Sequence, residues 1–355
     1  MKTKLIISLF LLALLPTQIV AKGASKKFYP GEIWKDHNGV HINAHGGGFI
    51  FYNNKYYWFG EHKIEGEKGN YAQVGVHCYS SSDLYNWNDE GIALKVSSEP
   101  NSDIAQGCIL ERPKVIYNPN TKKFVMWFHL EPKGKGYTGA LSGIATANKI
   151  TGPYTFIRST RTTPGCYPVN VLDLHKCPVK QSTIDKKLYG GGLNGEHPDT
   201  LNILGRNFKE GQMARDMQLF VDDNGKAYHI YSSEDNLTLQ IAELSDDYLS
   251  HTGKYIRIFP GGHNEAPAIF KKDGIYWMIT SGCTGWEPNK ARLLTATSIL
   301  GEWKQLPNPC VGENADKTFG GQSTYVLPLQ GTEKQFIFMA DSWRPESLAD
   351  SRYIW

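Results

Sequence analysis

Five times along the chain, one polar residue precedes a short apolar strand, then a turn, then a strand crowded with aromatics. The first strands read His45-Gly-Gly-Gly-Phe-Ile-Phe, Glu111-Arg-Pro-Lys-Val-Ile-Tyr, Asp216-Met-Gln-Leu-Phe-Val, Glu265-Ala-Pro-Ala-Ile-Phe and Gln322-Ser-Thr-Tyr-Val-Leu. The turns fall eight or nine residues later, at Asn53, Asn120, Asn224, Asp273 and Gly331. The second strands are Lys55-Tyr-Tyr-Trp-Phe, Lys123-Phe-Val-Met-Trp-Phe, Lys226-Ala-Tyr-His-Ile-Tyr, Gly274-Ile-Tyr-Trp-Met-Ile and Lys334-Gln-Phe-Ile-Phe-Met. A recurring unit that cannot bury its own faces must stack on copies of itself. In four of the units a third strand ends in a small polar turn, and an aromatic then marks a fourth, as at Tyr85-Asn-Trp and Gly301-Glu-Trp. Short runs separated by Gly, Asn, Asp and Ser indicate antiparallel meanders.

Five such units predict an all-β fold, a five-bladed β-propeller. The fifth unit looks unfinished, because its third strand, Arg352-Tyr-Ile-Trp, is the last segment of the sequence. The stretch Tyr29–Trp34 is a candidate to complete it. Residues 159–212, rich in Gly and Pro, form an insertion between the second and third units and are expected to wall one side of the channel mouth. Helical periodicity is weak outside the first residues.

Residues 1–21 read as a signal peptide: Lys2 and Lys4, an apolar run Leu5 to Leu15, then Ile19-Val20-Ala21. That run is too short to span a bilayer. The remainder, 22–355, reads as a single catalytic domain, secreted or periplasmic, with no membrane span, and a monomer is expected. The net charge of +3 gives no reason to expect nucleic acid. Aromatics make up 12% of the chain, which suits both strands and the stacking of sugar faces. Export would permit disulfides, and Cys166 with Cys177, which flank one loop, is the best candidate pair. No CxxC spacing points to zinc.

In a propeller the innermost strands line the channel, so Glu111, Asp216 and Glu265 should face one another at one mouth. Crowded carboxylates raise at least one pKa, and an acid kept protonated near neutrality can protonate a leaving oxygen. Carboxyl groups in an aromatic-rich cleft are what glycoside hydrolysis needs. Arg112 and Arg215, adjacent to Glu111 and Asp216, offer the simpler alternative of structural ion pairs.

The order Glu-Arg-Pro-Lys, Ala-Arg-Asp-Met-Gln-Leu-Phe-Val-Asp-Asp-Asn-Gly, Asn-Glu-Ala-Pro-Ala-Ile-Phe and Gly-Gln-Ser-Thr resembles glycoside hydrolase family 43, and within it the exo-β-1,3-galactanase branch. The resemblance runs from about Gly31 to Trp355, apart from the insertion. It implies an inverting mechanism with Glu265 as general acid, and with Glu111 tuning that acid and holding the sugar. Most of the family places a general base, an Asp, on the first blade, where this chain has Asn43-Ala-His-Gly-Gly-Gly. The branch shares that absence, and a fifth-blade Gln, here Gln322, is thought to position or activate the water. An amide is a poor base, so the proton would need an imidic tautomer or a relay through Glu111.

The resemblance further places Glu61, Tyr137, Asp216, Asn236 and Thr284 around the terminal sugar. No cofactor and no metal ligand is expected. Some relatives hold a cation in the channel, and His45, His62 and His263 would stand near its mouth, where hydrogen bonding is their commoner role. Asn236-Leu-Thr is a glycosylation sequon, but a glycan there would block the pocket. The expected function is an exported hydrolase cutting β-1,3-galactan of arabinogalactan-type polysaccharide. The alternatives are an α-L-arabinofuranosidase or β-xylosidase on the same scaffold, or a sugar-binding propeller without catalysis.

Overall fold

The structure is a computed structural model, and it describes residues 27–171, 173–176, 203–285, 287–331, 335–342 and 353–354. The expected signal peptide, 1–21, lies outside the described residues, as does Cys177, the expected partner of Cys166. The fold is all-β, a β-propeller. Blade I is the meander β1 (His45–Tyr52), β2 (Lys55–His62), β3 (Gly75–Ser81) and β4 (Asn88–Lys95). Blade II is β5 (Ile109–Asn118), β6 (Lys123–Glu131), β7 (Leu141–Ala147) and β8 (Thr155–Thr160). Blade III is β9 (Met217–Val221), β10 (Ala227–Ser233), β11 (Thr238–Leu244) and β12 (His251–Ile258). Blade IV is β13 (Glu265–Lys272), β14 (Ile275–Ser281), β15 (Arg292–Ala296) and β16 (Lys304–Leu306). The last repeat forms sheet V, with β17 (Gly321–Pro328), β18 (Phe336–Ser342) and the two-residue β19 (Tyr353–Ile354). The first strands of neighbouring units touch in cyclic order, β1 to β5, β9, β13, β17 and back to β1.

Five blades were expected, the last of them unfinished. Four are complete, and among the described residues the fifth repeat is a three-stranded sheet in which β19 pairs with Asp341 and Ser342. The segment around Tyr29–Trp34 does not pair with sheet V. It turns back on itself through a Lys35–His41 bridge, and Trp34 packs on Trp58 and Trp87, 5.4 and 6.2 Å away. Trp34 thus joins the aromatic core of blade I, while Tyr29 is left 59% exposed.

The hairpins follow from local chemistry. Asn53 and Asn54, and likewise Asp273 and Gly274, all take positive φ, the type I′ geometry whose twist matches paired strands. The second strand of each unit is apolar on both faces because it lies between two neighbours. Trp58 and Tyr56 pack toward sheet V, while Phe59 packs toward blade II. In β6, Phe124, Met126 and Phe128 face blade I, and Val125 and Trp127 face blade III. Burying each of these aromatics stabilises by about 1.5–3 kcal/mol.

The insertion begins at the end of β8 rather than after it. Its described ends are pinned by a Thr162–Gln212 bridge, by a Tyr167–Phe208 stack at 4.2 Å and by Val169 N–H on the Tyr255 carbonyl. A short helix, α1 (Ile203–Arg206), closes it. Residues 177–202, the middle of the expected wall, lie outside the described residues.

Blade I depends on a close approach at Gly60, where a Cβ would sit 2.1 Å from the backbone carbon of Ala44. Gly60→Ala is therefore expected to cost about 1–3 kcal/mol, read as a lower urea midpoint at unchanged slope. An unshifted midpoint would show that the Ala44 strand yields freely.

Candidate active site

Four inner strands carry a bulge near their start, between His45 and Gly48, Glu111 and Lys114, Glu265 and Ala268, and Ser323 and Tyr325. In three of them the residue after the axial side chain is left-handed: Gly46 (φ 57), Arg112 (φ 55) and Ala266 (φ 53). Bulges re-aim side chains and interrupt the ladder, which leaves these N–H groups needing partners. Each finds a carboxylate on the adjoining unit. Gly46 donates to Asp341 Oδ2 at 2.6 Å, Arg112 to Glu61 Oε1 at 3.1 Å, and Ala266 to Asp216 Oδ2 at 3.0 Å.

The Arg112 guanidinium ties the mouth together. Its Nε and Nη2 each reach Asp216 at 3.2 Å, its Nη1 donates to the Ser323 carbonyl at 2.8 Å, and Nη2 also donates to Gln322 Oε1. Arg112 thus pairs with Asp216 rather than with its sequence neighbour Glu111, and Arg215 lies 3.7 Å from Asp235 instead. Gln322 Nε2 donates to Ser281 Oγ at 3.0 Å. Guanidinium cannot accept a hydrogen bond, so the oxygen of Gln322 faces it. That orientation favours the ordinary amide over an imidic O–H.

The two glutamates occupy opposite electrostatic settings. Glu265 is pushed up to about 7 by burial and then by the nearby Asp216 charge, and its Oε1 accepts from Asn236 Nδ2 at 2.6 Å. Burial would also raise Glu111, but hydrogen bonding and charge from His129, with Lys63 and Tyr137, outweigh it and hold Glu111 down at about 2. Tyr137 donates its hydroxyl to Glu111 Oε1 at 2.7 Å while its ring stays 44% exposed. Environment separates an acid from a permanent anion. A carboxyl near 2 is a weak proton acceptor at neutral pH, which argues against the relay through Glu111.

Other expected site residues are more committed than the sequence suggested. Glu61 is buried, paired with Lys63 at 3.0 Å, and serves the Arg112 amide. Asp216 spends its oxygens on Arg112 and Ala266. Thr284 is exposed and bonded into its own loop, donating to the Glu287 carbonyl at 2.5 Å; Trp286 lies outside the described residues. The sequon residue Asn236 faces the Glu265 carboxyl, so a glycan there is disfavoured. Of the three histidines expected at the mouth, His62 pairs with His77 at 2.9 Å, and His45 and His263 are buried. Among the described residues no group of His, Cys, Asp or Glu is arranged to hold a metal. The buried Lys114 ammonium instead donates to the Gly46 carbonyl at 2.6 Å, and burial, then Arg112, lowers it to about 7.

Of the residues opposite the axial ones, sequence reasoning named Glu61 and missed His129, Ser281 and Asp341. Register places Glu61 across from His45, His129 from Glu111, Ser281 from Glu265, and Asp341 from Gln322. The signal was present as a polar residue ending each aromatic strand.

Comparison with known proteins fits this geometry. A β-1,3-galactosidase, BT3683, whose structure was solved with galactodeoxynojirimycin, is 62% identical, with 91% of this chain and 92% of that one covered at a TM-score of 0.84. The chain belongs to glycosyl hydrolase family 43. The family profile itself matches residues 193–331. The family 43 chain is also similar to 1,3Gal43A, an exo-β-1,3-galactanase from Clostridium thermocellum, at 33% identity, covering 90% of this chain and 59% of that one, TM-score 0.70. An exo-β-1,3-galactanase from Phanerochaete chrysosporium, solved with β-1,3-galactotriose, is 29% identical over 91% of this chain and 62% of that one, TM-score 0.69. A curated β-D-galactofuranosidase from Aspergillus niger is 31% identical over 121 residues, so the match spans 33% of this chain and about a third of that relative, 35%.

Arg112→Lys keeps the charge but cannot span Asp216, Gln322 and Ser323 together. It is expected to destabilise by about 1–3 kcal/mol, measured by urea unfolding. A loss below about 0.5 kcal/mol, the scatter of ordinary surface substitutions, would show that the fork is dispensable.

Proposed function

We propose that this family 43 member is an exported, exo-acting, inverting glycosidase that removes galactose from β-1,3-galactan of arabinogalactan-type polysaccharide, with sheet V serving as an incomplete fifth blade. The observation that carries this reading is the divergence of two carboxyls in one mouth, Glu265 raised to about 7 and Glu111 held near 2. The close likeness to a β-1,3-galactosidase supports the sugar and linkage. Glu265 gives its proton to the leaving glycosidic oxygen. Gln322, fixed by Arg112 and Ser281, positions the attacking water through its side-chain amide. The water oxygen bonds to the anomeric carbon, and the proton it sheds returns to Glu265 through solvent. Glu111, Tyr137 and Asn236 line the terminal-sugar pocket, with Asp216 and Glu61 holding its walls. Residues 1–21 direct export, and the protein works without a cofactor.

Incubation with β-1,3-galactan, arabinan and xylan tests this directly. Galactose should appear from galactan alone, first as the α-anomer by proton NMR. Release of arabinose or xylose would overturn the specificity, and retention of galactan without products would leave a binding protein. Glu265→Gln should lower kcat about 10²–10⁴-fold with an unchanged urea midpoint, whereas wild-type turnover would refute the acid assignment. Because Glu265 acts in its protonated form, kcat/KM should hold below pH 7 and fall about tenfold per unit above it.

A further inference from the structure

Within blade II a closed circuit of hydrogen bonds runs behind Glu111. His129 Nδ1 lies 2.9 Å from Glu111 Oε2, and its Nε2 lies 3.0 Å from Glu131 Oε1. Glu131 Oε2 accepts the Ala140 amide at 2.9 Å. The loop that ends at Ala140 carries Tyr137, whose hydroxyl returns to Glu111 Oε1. The His129 side chain is 1% exposed and that of Glu131 0%. A Cβ on Gly139 would sit 2.6 Å from Glu131 Oε2, so the loop closes on this carboxylate without room to spare.

We propose that His129 is a buried imidazolium clamped between Glu131 and Glu111, and that His129 and Glu131 are positioning residues which keep Glu111 an anion aimed at a substrate hydroxyl and lock the Tyr137 loop over it. The argument is one of donors and acceptors. Both ring nitrogens face carboxylate oxygens, which only accept when ionised, so each nitrogen must carry a proton. An uncompensated charge cannot stay buried there, and two carboxylates around one ring supply the balance. The other charged or titratable neighbours include Lys63 and Glu61 from blade I, Arg112 next to Glu111, Tyr137 on the loop, and Arg161 beside Glu131. Burial alone would lower the histidine, but hydrogen bonds to Glu111 and then Glu131 raise it to about 9. The sugar can therefore rely on an anion at Glu111 across the range in which Glu265 carries its proton.

This inference rests on the hydrolase reading above, and its test separates the two. Nitrogen-15 NMR of the wild-type ring should show both nitrogens protonated at pH 7 and loss of a proton only near pH 9; a singly protonated ring at pH 7 would overturn the proposal whatever the substrate. Glu131→Gln, an isosteric change, and His129→Gln should each move the acid limb of kcat/KM on β-1,3-galactan upward by at least about one pH unit, close to a tenfold loss on that limb. The basic limb, set by Glu265, should stay in place. A uniform drop with both limbs unmoved would mean that the pair only fills space. Failure of the wild type to hydrolyse galactan would instead sink the substrate assignment, leaving the state of the ring to the NMR spectrum.

Discussion

Left-handed residues directly after the axial side chains of blades I, II and IV expose an N–H that the sheet does not use, and a carboxylate from the adjoining unit takes it up. Gly46 relies on Asp341, Arg112 on Glu61, and Ala266 on Asp216. A buried N–H without a partner costs about 1–3 kcal/mol. The bulges that turn the axial side chains toward the mouth therefore hold only if the ring is assembled. Stability and site geometry share the same contacts, because the carboxylates that close the ring also set the field at the mouth.

That field sorts the ionisable groups. Arg112 gathers Asp216, Gln322 and the Ser323 carbonyl into one fork and so neutralises the carboxylate nearest Glu265 in part, not in full. What remains of the Asp216 charge adds to burial in raising Glu265 to about 7. Across the mouth His129 works in the opposite direction on Glu111. Two residues of one chemical type acquire different tasks because one faces a carboxylate and an amide, and the other an imidazole and a phenol.

The repeat itself was legible in the sequence, as were Glu111, Asp216, Glu265 and Gln322, since a polar residue before an apolar strand recurs at fixed spacing. Tyr137 and Asn236 followed from the family resemblance and do reach the glutamates. Thr284 and Glu61 are engaged by protein contacts that strand spacing does not reveal. The partner of Arg112 was not legible either. Arg112 sits in the β5 bulge at φ 55, which re-aims its side chain, and it meets Asp216, 104 positions further along.

Alternating and doubly apolar runs, with Asn-Asn and Asp-Gly turns, determined the strands, their hairpins and their order, because those choices are settled within a few residues of backbone. The identity of each carboxylate's neighbour was decided only when the ring closed, since protonation depends on charges and burial within a few ångströms in space. The same holds for the last sheet: pairing of β19 with Asp341 and Ser342 is a register that no local preference fixes.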